Sequence, residues 1–255
     1  MVSPRTKQYL LCEVLSVRSA APGVFHLDCA WPGGAPGAGQ FFMVKPGRSA
    51  VFLPRPLSVS GWRAGSRTLS FLVAERGRGT RELAGLRPGE RIRLAGPLGN
   101  GWEDFLPPEK AEPEKPLALA GGGAGIAPLL ALADELSRRT RAFDFFAGFK
   151  TRSFGLENLK ARSLIVASED GSEGRKGLIP EFLRAERYAA VYACGPEGML
   201  WALGERCGEV PCYVSMERRM ACGVGACLGC TVQAAGGNRR CCADGPVFPA
   251  KEVFV

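Results

Sequence analysis

The 255-residue chain predicts a multi-domain protein: an antiparallel β-barrel, an α/β domain on a parallel sheet, and a small cysteine-rich C-terminal segment. Three observations predict it. Residues 1–106 hold short apolar or alternating runs separated by Gly, Pro and Ser clusters, the pattern of a small all-β unit. Beyond a proline-rich break the pattern becomes strand, glycine turn and helix, which implies parallel strands joined by crossovers. The last stretch, 213–255, has too few apolar residues for a core of its own and holds five of the chain's ten cysteines.

In the first unit, Tyr9–Val17, Val24–Cys29, Gln40–Lys45, Leu69–Ala74 and Arg91–Ala95 read as strands, giving a barrel of about six strands. Arg55-Pro56-Leu57-Ser58 is expected at the end of a strand. The Pro88-Gly89 turn precedes the apolar run Ile92–Leu94. The connector P-P-E-K-A-E-P-E-K-P over 107–116 is polar and proline-rich, a natural boundary. It opens a second unit, 107–212. There Leu117–Ala120 reads as a strand, Gly121–Gly125 as a turn and Ile126–Arg139 as a helix. Phe143–Phe149, Leu164–Ala167 and Val191–Cys194 read as further buried strands.

Four motifs carry chemistry. In Arg55-Pro56-Leu57-Ser58 the arginine offers a rigid fork of donors for phosphate, the proline fixes the backbone, and the serine can bond a flavin ring or its ribityl chain. In Leu72-Val73-Ala74-Glu75-Arg76-Gly77-Arg78-Gly79-Thr80 a strand runs into G-x-G-T and a short helix through Glu82–Leu86, which permits close backbone approach to a pyrophosphate. In Leu119-Ala120-Gly121-Gly122-Gly123-Ala124-Gly125-Ile126-Ala127-Pro128 a strand enters a phosphate-cradle turn, although the strict G-x-G-x-x-G pattern is absent. In Cys194-Gly195-Pro196-Glu197-Gly198-Met199 a loop sits at the carboxyl end of a strand, where open α/β sheets bind ligands. Cys194 is assigned to that loop with no acid–base or nucleophilic role.

Cys222, Cys227 and Cys230 follow C-x4-C-x2-C, with a further thiol at Cys241 or Cys242. That spacing is the plant-type signature of a [2Fe–2S] cluster. Gly223, Gly225 and Ala226 let the backbone wrap the cluster and leave N–H groups free to face sulfur, which favours the reduced state. Structural zinc is the weaker reading, because only Cys227 and Cys230 form a C-x2-C knuckle. A disulfide framework is weaker still in a chain of this length without an apolar leader. On chemistry alone the adjacent thiols 241 and 242 stand level.

R-P-L-S, G-R-G-T, G-G-G-A-G-I-A-P and C-G-P-E-G-M, in this order, resemble the ferredoxin–NADP reductase superfamily. The segment from Ser215 to Cys227, with Cys242-Ala243-Asp244-Gly245-Pro246-Val247-Phe248, is similar to the electron-transfer subunits of class B dihydroorotate dehydrogenase. The resemblance covers essentially the whole chain. It implies FAD held by Arg55, Pro56, Leu57, Ser58, Leu72, Val73 and Ala74, with Gly79 and Thr80 at its pyrophosphate. Gly121, Gly122, Gly123, Gly125, Cys194 and Gly195 fall to NAD. The cluster goes to Cys222, Cys227, Cys230 and Cys242, the last because the family places it two residues before D-G-P-V-F. It also implies an FMN-containing dihydroorotate dehydrogenase catalytic subunit as partner, two copies of each subunit, and passage of electrons from that FMN through the cluster and FAD to NAD+. The rival reading is an NAD(P)H-dependent reductase of the same architecture serving ferredoxin, a hydrogenase or an oxygenase.

Composition narrows the rest. The net charge is +8, but the cations are scattered and form no basic stripe with aromatics, so nucleic acid is not expected. No apolar run is long enough for a membrane span, and the start M-V-S-P-R-T-K lacks a signal core, so the cytoplasm is expected. His26 is the only histidine, which leaves no Ser/His/Asp or Cys/His arrangement for hydrolysis. No catalytic side chain is assigned. After the second α/β strand, Lys150-Thr151-Arg152-Ser153 offers no carboxylate for a ribose 2′-OH, so NAD and NADP are not separated.

Overall fold

Six strands close the barrel in the computed structural model, which describes residues 7–108 and 115–254. They are β1 (Gln8–Ala21), β2 (Val24–Ala30), β3 (Phe41–Pro46), β4 (Arg55–Arg63), β5 (Thr68–Ala74) and β6 (Arg91–Leu98), in the order β1-β2-β5-β4-β3-β6. Alternation sorts their side chains between two faces. Val44, Leu94, Phe42, Phe71 and Val73 fill the barrel, while Phe41, Met43 and Leu98 point outward into a second core. Arg55–Ser58 begins β4 rather than ending a strand. Two prolines, Pro54 and Pro56, remove ladder donors at this point, and Pro is tolerated where a strand starts. Helix α1 (Arg78–Ala84) follows β5 and opens within G-x-G-T, with Gly79 and Thr80 inside its first turn, and ends short of Leu86.

The connector 109–114 lies outside the described residues, as do 1–6, where most of the leader reading falls. After it come β7 (Leu117–Gly122), α2 (Ile126–Arg138), β8 (Phe143–Phe149), β9 (Ser163–Ser168), β10 (Arg175–Lys176), α3 (Ile179–Phe182), β11 (Ala190–Cys194), α4 (Glu197–Cys207) and β12 (Cys212–Ser215). These strands pair in parallel in the order β10-β9-β8-β7-β11-β12. Their apolar runs lack alternation because both faces are covered. At the amino end of β8, Asp144 is buried and takes both nitrogens of Arg162 (2.8 and 2.7 Å) and the Tyr188 hydroxyl (2.8 Å).

The cysteine-rich segment is not free-standing. It forms a two-stranded ribbon, β13 (Thr231–Val232) with β14 (Arg239–Arg240), and then β15 (Val247–Pro249), which adds antiparallel to β12 as the seventh strand of the main sheet. The helical turn α5 (Ala250–Val253) closes the described chain. On the barrel side, Asn100 donates from its backbone to Gly245 O (2.7 Å) and from its side chain to Asp244 O (3.2 Å). Cys230, Cys241 and Cys242 share a core with Phe41, Met43 and Leu98 of the barrel and Val214 and Phe248 of the sheet. Both larger units therefore supply the packing that the short segment lacks.

Candidate redox site

The x4 loop folds over the thiols through two left-handed glycines, Gly223 (φ +70) and Gly225 (φ +85). Gly225 N–H donates to Cys242 Sγ (3.1 Å), Val224 N–H to Cys222 Sγ (3.4 Å) and Cys242 N–H to Cys230 Sγ (3.4 Å). Burial works against a thiolate at Cys222, but the N–H groups of Val224, Cys227 and Ala226 outweigh it and bring the thiol down to about 6. Cys222 and Cys227 lie within hydrogen-bonding reach of one another, as do Cys230 and Cys242. Among the described residues no three His, Cys, Asp or Glu side chains converge as a single-ion site requires. Two such thiol pairs suit a binuclear cluster, in which each iron takes two thiolates.

Cys241 and Cys242 are alike in acidity, each pushed up to about 12 with burial as the main cause. Direction separates them. Cys241 is fully buried and its thiol donates to Met216 O (2.9 Å), whereas Cys242 turns toward Gly225 and Cys230. The Asp244 of D-G-P-V-F accepts from the Arg240 backbone (2.7 Å) and side chain (2.9 and 3.1 Å). Arg240 in turn reaches Gly225 O (3.4 Å), which fixes a cation over the loop. Such a cation favours the extra negative charge of a reduced cluster.

The flavin motifs converge beside this loop. Arg55, Arg76, Gly77, Arg78 and Thr80 line a cavity of about 250 Å³ with three guanidinium groups, a donor set suited to a pyrophosphate. Gly79 admits Arg55: a Cβ there would stand 2.5 Å from Arg55 Nε. The Thr80 hydroxyl accepts from Arg76 N (2.8 Å) and Gly77 N (3.2 Å), tying the turn. Pro56, Leu57 and Ser58 are half-buried on β4, where Pro56 stands opposite Met43 of β3. Met43 also underlies the cluster loop, since a Cβ on Gly223 would stand 2.6 Å from its Cγ. Met43 is thus a neighbour of both Pro56 on β4 and the loop that carries Gly223. Leu72 packs toward the α/β domain, Val73 into the barrel core, and Ala74 is half-buried, so Val73 offers a ligand only its backbone.

In the nucleotide motif β7 runs two residues further than the sequence indicates, because Gly121 and Gly122 are strand residues buried against neighbours. A Cβ on Gly121 would meet Ile126 (2.7 Å), on Gly122 Pro196 (2.7 Å), and on Gly125 the Cys194 carbonyl (2.4 Å). Those three glycines let strand, helix and the 194–196 loop approach one another. Gly123, at φ +54 with open space around its Cα, is the one positioned to meet a ligand. Cys194 is buried, and burial raises its thiol well above the ordinary range, in keeping with no nucleophilic role. Gly195 is half-buried beside Gly122. Glu217 lies near both Cys194 and Arg76; desolvation raises its carboxyl above the ordinary range, with Arg76 opposing. The adjacent Arg218 pairs through both nitrogens with Glu197 of C-G-P-E-G-M (2.9 and 3.1 Å).

Sequence reasoning passed over Met43, Arg240 and Glu173. The last accepts from Ser153 N–H and Oγ–H (both 2.7 Å), bringing a carboxylate to the loop after β8 from the loop after β9. Only Arg240 left a local trace, as a cation beside the paired thiols.

Residues 217–254 match the family model described as the iron–sulfur cluster binding domain of dihydroorotate dehydrogenase B. A dihydroorotate dehydrogenase B (NAD(+)) electron transfer subunit from Clostridium acetobutylicum is 39% identical, covering 85% of this chain and 86% of the relative. The chain belongs to the dihydroorotate dehydrogenase B electron transfer subunit family. Another member, from Caldanaerobacter subterraneus subsp. tengcongensis, is 37% identical over 95% of this chain and 97% of its own length. Among solved structures, an NADH-dependent reduced ferredoxin–NADP oxidoreductase aligns with TM-score 0.82 and 28% identity, covering 96% of this chain and 90% of that one. A Neisseria gonorrhoeae ferredoxin NADP+ reductase with bound FAD and NADP, at TM-score 0.63 and 19% identity, shares the fold. This electron transfer subunit is a component of an NAD(+)-linked oxidoreductase, with an iron–sulfur cluster binding domain at 217–254. No helix of the described residues is long and apolar enough to cross a membrane.

Proposed function

We propose that this subunit joins an FMN-bearing dihydroorotate dehydrogenase catalytic subunit, two copies of each, and carries its electrons to NAD+ in the cytoplasm. When bound, the cluster exchanges single electrons, and FAD collects two and exchanges a hydride with the nicotinamide. The division of labour follows the three segments: 1–106 for FAD, 107–212 for NAD, and 213–255 for the cluster.

Within that scheme Cys222, Cys227, Cys230 and Cys242 hold the cluster, and the N–H groups of the x4 loop stabilise charge on their sulfurs. Arg55 holds the flavin pyrophosphate, supported by Gly79, Thr80, Arg76 and Arg78. Pro56, Leu57, Ser58, Leu72, Val73 and Ala74 form its seat. Gly121, Gly122 and Gly125 shape the nucleotide turn, and Gly123 and Gly195 present it. Cys194 packs beneath that loop.

The observation that carries the reading is the position of Met43, between Pro56 of the flavin strand and Gly223 of the cluster loop. That shared neighbour supports a short path between the two proposed redox sites. The test is reconstitution with the FMN-bearing catalytic subunit. Dihydroorotate oxidation should then drive NAD+ reduction, and neither subunit alone should do so. Ferredoxin reduction by NADH, with no coupling to dihydroorotate, would overturn the reading in favour of the reductase that the 0.82 structural match suggests.

A further inference from the structure

We infer that the outer face of β3, β6 and β1 is the docking surface for the FMN-bearing catalytic subunit, continuous with the cluster loop. The inference rests on the function proposed above. Directly opposed residues of neighbouring strands share a face. In one row Met43 of β3 opposes Ala95 of β6, which opposes Tyr9 of β1. In the next, Lys45 opposes Arg93, which opposes Leu11. The cluster loop covers the inner end of the first row through Gly223 on Met43. The rows then emerge into solvent about 10 Å away, two strand spacings across.

What emerges is apolar. Tyr9 is 69% and Leu11 52% exposed, although both stand in a regular strand. Val224, beside Gly223 on the loop, is 49% exposed. At the β3 end of the second row the Lys45 ammonium donates to the backbone oxygen of Phe52 (3.4 Å), a residue that is 88% exposed. Tyr9 and Leu11 thus form an apolar pair on the outer face of β1, in rows whose other end, at Met43, underlies the loop that carries Val224. Single exposed apolar residues need no explanation, but a contiguous set marks an interaction site.

Area and charge select the occupant. A stable complex buries about 800 Å² on each partner, roughly 20–30 residues a side, more than the short loop 222–230 can supply. The barrel strip supplies the remainder. Lys45, Arg91 and Arg93 stand on it, with Glu13 facing Arg91. Two copies of this face would oppose like charges, so self-association through it is disfavoured. The fitting partner surface is an apolar patch with an acidic rim, seated so that its redox centre faces the cluster loop.

The test uses the full chain with FAD and cluster, and the FMN-bearing catalytic subunit. Tyr9→Glu/Leu11→Glu should keep both redox groups and the rate of NADH-to-dye reduction. It should weaken association with the catalytic subunit roughly a hundredfold, as loss of central apolar anchors does. Lys45→Glu/Arg93→Glu should weaken it about tenfold at low salt and flatten its salt dependence. Wild-type affinity in both variants, with the wild-type complex active, overturns the surface and leaves the proposed function standing. A wild-type chain that binds no catalytic subunit overturns the function itself. A change in the oligomeric state of the isolated chain on Tyr9→Glu/Leu11→Glu overturns the choice of occupant in favour of a second copy.

Discussion

Replacing Gly223 with Ala tests the contact that ties the cluster loop to the barrel. Two costs can be worked out. At φ +70 an L-residue pays roughly 1–2 kcal/mol for the left-handed conformation. The new Cβ would stand 2.6 Å from Met43 Cγ and 3.1 Å from Leu98 Cδ1. Met43 is 2% exposed and has no room to withdraw, so overpacking adds about 1–3 kcal/mol. Together Gly223→Ala should destabilise the cluster segment by about 2–5 kcal/mol. The assay is the urea midpoint for loss of the cluster's visible absorption, with flavin absorption as the internal reference. In a Met43→Ala background most of the steric part should vanish, leaving the backbone cost of about 1–2 kcal/mol. An identical penalty in both backgrounds would refute the contact.

Three further outcomes are expected. Cys242→Ser should abolish cluster iron, whereas Cys241→Ser should keep it and lose about 1 kcal/mol for its bond to Met216; iron and sulfide analysis of the two proteins decides. Arg55→Ala should weaken FAD binding about tenfold to a hundredfold, the cost of one lost charged hydrogen-bonding group, measured by flavin fluorescence on titration. Asp144 is held below the usual carboxylate range chiefly by its paired bonds to Arg162. Its stabilisation is therefore complete above the unfolded value of about 3.9 and lost as pH falls through the lower folded one. Asp144→Asn should lower stability at pH 7, and its deficit should shrink below about pH 4; thermal melts across pH 3–7 would show a constant deficit if the account of Asp144 is wrong.

Local pattern made much of this molecule legible. Five barrel strands, the Ile126 helix and strands β7, β8, β9 and β11 follow from apolar runs bounded by Gly and Pro, because burial and turn chemistry act over a few residues. The C-x4-C-x2-C spacing is equally local. Contacts closed by the fold were not legible. Nothing near Met43 announces that Gly223 will land on it, and nothing near Ser153 announces Glu173. Gly121, Gly122 and Gly125 look like a phosphate cradle, yet their missing side chains make room for Ile126, Pro196 and Cys194. The resemblance points to Cys242, but the opposite directions of the Cys241 and Cys242 thiols depend on where Met216 and Gly225 stand. The C-terminal segment reads as an appendage, although Val247–Pro249 extends the main sheet, because three residues carry too little pattern to mark a strand.

The central claim is that electrons cross this subunit through the cluster cysteines and the flavin in series. It is tested most directly in the complex with the FMN-bearing catalytic subunit, by measuring dihydroorotate-driven NAD+ reduction and NADH-to-dye reduction for wild type and Cys227→Ser. Cys227→Ser should lose the first activity and keep the second, because FAD and the nucleotide site stay intact while the entry point is broken. Retention of dihydroorotate-driven NAD+ reduction without the cluster would contradict the account.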